Sequence, residues 1–123
     1  MINLDLSKDE RIKKEISRLS RIFTKIDKKG KAVIDGLIKR AAYMRITLED
    51  MEEDLDTNGF TEMFSQSEKL DPYERERPVA RLYNSMNKNF QSIMKQLSDF
   101  LPKDDGKPTS QGDDAFTKFL KSR

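Results

Sequence analysis

Ten lysines and arginines fall within residues 1–31 of this 123-residue chain, against five carboxylates. They are Lys8, Arg11, Lys13, Lys14, Arg18, Arg21, Lys25, Lys28, Lys29 and Lys31. The chemistry such groups do best is phosphate neutralisation, which displaces condensed counterions and gives affinity without reading base sequence. Glu10, Glu15 and Asp27 lie among them, so a solvated face with local ion pairs is the competing reading.

The segment that follows has the opposite sign. Residues 32–64 hold three basic groups and eight acidic ones, including the run Glu49, Asp50, Glu52, Glu53, Asp54 and Asp56. At helical spacing Glu49, Glu52, Glu53 and Asp56 share one face. Nuclease carboxylates converge from different elements around their metal ions, and a single helix does not do that. Carboxylates near a helix C-terminus also oppose its dipole, so they call for cationic partners. A neighbouring subunit's basic first helix is one source, which makes the four residues candidates for a subunit interface. A solvated face is the alternative.

Other chemistry is narrowed by composition. The chain has no cysteine and no histidine, which removes disulfides, Cys/His zinc sites and the usual general base near neutral pH. A serine triad lacks its histidine, and no glycine-rich phosphate loop is present. The expectation is a protein that is not an enzyme and carries no cofactor or metal. No apolar run approaches the ~20 residues of a membrane span, so no membrane partner is expected.

The elements that position these residues follow from periodicity. Ser7-Lys8-Asp9-Glu10 fits a capping box opening a first helix. Ile12, Ile16, Leu19, Ile22, Phe23 and Ile26 then fall on one face. Lys28-Lys29-Gly30-Lys31 is expected to end it, with Gly30 as a left-handed cap. A second helix over about residues 32–56 carries Ile34, Leu37, Ile38, Ala41, Met44, Leu48, Met51 and Leu55, and stops at Asn58-Gly59. The short gap between the two helices predicts an antiparallel helical hairpin.

Phe60-Thr61-Glu62-Met63-Phe64 alternates with a strand's period. Residues 70–75 supply a returning edge strand around Pro72. Pro78 suits the first turn of a third long helix, whose stripe runs from Val79 to Leu101 before Pro102 stops it. The fold class is mainly α: a helical hairpin, a small β-hairpin insertion and a third helix. Residues 1–102 form one domain, and residues 103–123 a flexible tail. Near its end Phe116, Phe119 and Leu120 share one helical face, the pattern of a helix laid into a partner's groove. Docking on the chain's own assembly is the alternative.

Residues 37–102 resemble the small subunit of the tailed-bacteriophage DNA-packaging terminase. The resemblance lies in Leu37-Ile38-Lys39-Arg40-Ala41-Ala42-Tyr43-Met44, in Thr47-Leu48-Glu49 leading to Asn58-Gly59-Phe60, in Pro78-Val79-Ala80-Arg81-Leu82-Tyr83-Asn84, in Ile93-Met94-Lys95-Gln96-Leu97 and in Leu101-Pro102, in that order. It implies a non-catalytic, mostly helical factor that assembles as a ring homo-oligomer in the host cytoplasm. Such a factor recognises double-stranded viral DNA and hands it to the large terminase subunit, which carries the ATPase and nuclease. By the same resemblance, the large subunit is the expected receiver of Phe116, Phe119 and Leu120. The chain departs from many members in lacking a helix-turn-helix, since its second helix is too long and the preceding turn too short. Two rivals remain from the residues themselves: a helical scaffold that binds only protein, and a small dimeric DNA-binding regulator.

Overall fold

The structure, a computed structural model, describes residues 6–101. Helix α1 spans Lys8–Ile22, α2 spans Lys28–Asn58, strands β1 and β2 span Thr61–Phe64 and Tyr73–Glu76, and α3 spans Pro78–Ser98. The protein is mainly helical with one two-stranded antiparallel sheet.

α1 begins where the capping box places it: Ser7 accepts the Glu10 amide at 3.2 Å and its hydroxyl meets the Glu10 carboxylate at 3.3 Å. Its end is different from expectation. The helix closes at Ile22, because Phe23 turns its ring into the core and leaves helical geometry. Gly30 is not a cap of this helix. It lies in the first turn of α2, whose N-cap is Asp27, and the Asp27 carboxylate accepts the Gly30 amide at 2.7 Å. A side chain at Gly30 would come within 2.7 Å of Ile26 Cγ2 and 2.9 Å of Asp27 Oδ1. Glycine therefore serves close approach to the cap, and Lys28, Lys29 and Lys31 belong to α2.

With 31 residues, α2 runs about 46 Å at 1.5 Å per residue and forms the spine of the molecule. Arg11 meets Glu49 and Asp50, and Glu15 meets Arg45, so α1 runs antiparallel along one flank. Arg77 meets Asp54 and Tyr83 meets Glu52, which sets α3 antiparallel along the other. The core joins Leu19 and Phe23 to Ile34, Ile38, Ala41 and Leu48 and to Phe90, Met94 and Leu97. Fully burying a side chain of this size contributes about 1.5–3 kcal/mol. Ala42 and Ile46 are also buried, although they lie off the single stripe read from the sequence. A helix flanked on two sides buries more than one stripe.

α2 stops as expected. Gly59 takes φ +83°, a left-handed value that glycine accepts without strain, and its amide bonds Leu55 O at 2.8 Å. Strand register pairs Thr61 with Glu76, Glu62 with Arg75, Met63 with Glu74 and Phe64 with Tyr73. On one ribbon face Phe64 and Tyr73 meet edge to face at 6.0 Å, and the Arg75 guanidinium lies 3.5 Å from the Phe64 ring centre. Arg77 anchors the hairpin base through the Gly59 carbonyl and Asp54, both at 2.8 Å. Pro78 is the first residue of α3, as predicted, but the helix closes at Ser98, before half-buried Leu101. Pro102 and the tail residues Phe116, Phe119 and Leu120 lie outside the described residues.

Candidate nucleic-acid interface

Charges of opposite sign meet between α1 and α2. Arg18 makes two bonds to Glu15, at 2.8 and 2.9 Å. Glu15 reaches Arg45 at 3.5 Å, and Arg45 reaches Glu49 at the same distance. Glu49 meets Arg11 at 3.2 Å, and Arg11 meets Asp50 at 2.6 Å. Three arginines and three carboxylates thus alternate along the helix–helix contact and balance each other. Glu15 is buried there at 8% exposure, which a carboxylate tolerates only when paired. Burial alone would depress the Arg11 guanidinium, but its bonds to Asp50 and Glu49 overcome that and hold its pKa above the ordinary value. Arg18 is raised as well, chiefly by its bond to Glu15 and against partial burial.

The network divides the residues of the basic first segment. Arg11 ties α1 to α2 and Arg18 pairs with Glu15 on α1, so their cations are partly committed inside the chain. Lys13, Lys14, Arg21, Lys25, Lys28, Lys29 and Lys31 are exposed. Lys8 is exposed too and sits 4.8 Å from the centre of the Tyr43 ring. A groove of ≈ 620 Å³ runs beside the network. Arg11, Lys13, Lys14, Arg18, Arg21 and Arg45 line it, against the two carboxylates Glu15 and Glu49. Such a groove suits a phosphate backbone better than an uncharged ligand.

The acidic face is similarly divided. Glu49 finds its cations within the chain, on α1 and on Arg45, and Glu52 accepts the Tyr83 hydroxyl at 2.8 Å. Glu53 and Asp56 stay exposed. Asp54, part of the acidic run but not of the face drawn from it, takes Asn58 at 2.7 Å and Arg77 at 2.8 Å. These bonds, Asn58 first, hold its carboxyl below the usual range. Among the described residues no group of three or more acidic side chains is placed to hold a metal ion. No helix among them is long and apolar enough to cross a membrane.

Sequence reasoning missed Arg45, Lys39 and Arg40 as site residues. Lys39 and Arg40 are exposed on the face of α2 opposite the Ile34–Ile38–Ala41 core positions. A helical projection of residues 28–43 would have shown Arg40 beside Lys29 and Lys39 beside Lys28, since residues three, four, seven and eleven apart share a face. Comparison of the chain with protein-family models, curated proteins and solved structures returned no match.

Proposed function

We propose that this chain is a non-catalytic DNA-packaging factor of the terminase small-subunit type. It binds double-stranded viral DNA in the host cytoplasm, assembles as a homo-oligomeric ring and regulates the large terminase subunit. The observation that carries the reading is the groove between α1 and α2, where Lys13, Lys14 and Arg21 stand exposed and without ion pairs among the described residues, beside the balanced arginine–carboxylate network. Most of the resembling residues lie on α2 and α3, the two long helices packed against each other. A ring would repeat a weak patch around one axis, and linked weak contacts gain affinity by effective concentration.

The test is binding of duplex DNA by the full chain over a range of salt. Affinity should fall steeply as salt rises. Reversing Lys13, Lys14 and Arg21 to glutamate should abolish binding while helicity by circular dichroism stays unchanged. Salt-independent binding, or full affinity in that variant, overturns the reading.

One observation favours the protein-only scaffold instead. Phe60, Met63, Leu70, Tyr73 and Leu82, on and beside the hairpin, are each 47–66% exposed. An adaptor would use that surface and ignore DNA.

A further inference from the structure

The first four turns of α2 carry a strip that the groove does not include. Lys29, Val33, Gly36, Arg40 and Tyr43 follow one another at steps of three or four, so they lie on one face, and all five are exposed. Lys28 and Lys39 flank them, also exposed. Lys8 of α1 closes one end of the strip over the Tyr43 ring. Residues 28–43 hold five basic side chains and a single carboxylate, Asp35.

Gly36 is the unexplained member. Glycine inside a helix is costly relative to alanine, and here neither packing nor backbone conformation requires it. A Cβ at this position would meet nothing within 4 Å, and φ is helical. The reason for a flat spot at the centre of an exposed basic strip therefore lies outside the chain.

Charge identifies what comes there. None of Lys28, Lys29, Lys39 and Arg40 makes an ion pair among the described residues, so their charge is unspent. The densest negative charge on a second copy of the chain is its acidic half, and that half is largely committed. Glu49, Asp50, Glu52, Asp54 and Glu62 all hold partners within their own chain, five of the eight carboxylates of residues 32–64. A nucleic-acid backbone supplies uncommitted negative charge at regular intervals, and glycine permits its close approach to the helix.

We infer that this strip of α2, centred on Gly36 with Lys29, Lys39 and Arg40 as its cations, is a second phosphate-binding surface for duplex DNA, separate from the groove beside α1. The inference rests on the DNA-binding reading above. It extends the contact around α2, so that the backbone is held on two faces of one rigid helix. The phosphate contacts position the duplex and do not read its bases.

Gly36→Glu tests this directly, because a side chain at position 36 meets no atom of the chain. The probe is a mixed-sequence DNA duplex, and Gly36→Gln is the uncharged control. Gly36→Glu should weaken binding about tenfold or more at moderate salt, and more than the control does. A Lys39→Gln/Arg40→Gln double variant should reduce the salt slope by about 2 per contacting subunit. Wild-type affinity and slope in both variants overturn the inference while the groove remains. A change in oligomer mass with DNA binding unaltered also overturns it, in favour of a contact between copies. If the wild-type chain binds no DNA, the functional reading itself fails.

Discussion

At the residue scale, side chains of one type do different jobs. Arg11 and Lys14 are neighbours on α1, yet Arg11 bonds across to α2 and Lys14 faces solvent. Hydrogen bonds to charged groups contribute about 1.5–3 kcal/mol when well enclosed, and the partly exposed Asp50 and Glu49 reduce that here. Arg11→Gln should therefore lower the thermal midpoint by several degrees, whereas Lys14→Gln should leave it in place. Thermal unfolding of the two variants reads this directly. Asp54 gives a pH prediction. Its carboxyl is held low, so its contribution is full above the ordinary value of 3.8 and is lost as pH falls below that. Asn58→Ala should return the Asp54 titration toward its ordinary range, as read by carboxyl-carbon chemical shifts. An unchanged titration would mean that Arg77 alone sets it.

At the element scale, two glycines of α2 predict opposite outcomes. Gly36→Ala should stabilise the fold by up to about 1 kcal/mol, from helix propensity alone. Gly30→Ala should destabilise it, because the new methyl group collides with Ile26 and the capping Asp27. Midpoints that move in the same direction would contradict this account of the α2 N-terminus. These positions also show where legibility ended. Ser7 and Glu10 announced the start of α1, Gly59 the end of α2 and Pro78 the start of α3, because each acts through its own neighbours. The end of α1 was not announced, since no glycine or proline stands near Phe23. That break is made by the burial of the Phe23 ring in the core. Lys28-Lys29-Gly30-Lys31 looked like a helix end because the capping function of Asp27 on the next helix was not recognised. Ile46 was missed because a stripe assumes one buried side, and α2 has two.

At the scale of the whole molecule, the segregation of charge along the chain proves to be partly internal bookkeeping. The basic first segment and the acidic end of α2 meet each other through Arg11, Glu49 and Asp50, which fixes how α1 lies on α2. What remains for partners is the excess: Lys13, Lys14 and Arg21 at the groove, and Lys29, Lys39 and Arg40 on α2. No sequence pattern separated committed from uncommitted cations, because that depends on which helix faces which. The tail is argued from sequence alone. Deleting residues 112–123, and with them Phe116, Phe119 and Leu120, should abolish stimulation of the large terminase subunit while the oligomer persists. Unchanged stimulation in an ATPase assay would remove the tail from the account.

The central claim is that a homo-oligomer of this chain binds duplex DNA. Light scattering on a sizing column, for the full chain alone and mixed with duplex DNA at moderate salt, tests both halves together. The account predicts one discrete mass of many subunits, which increases by the mass of the bound duplex and releases it at high salt. A monomer that passes through the column without DNA would contradict it.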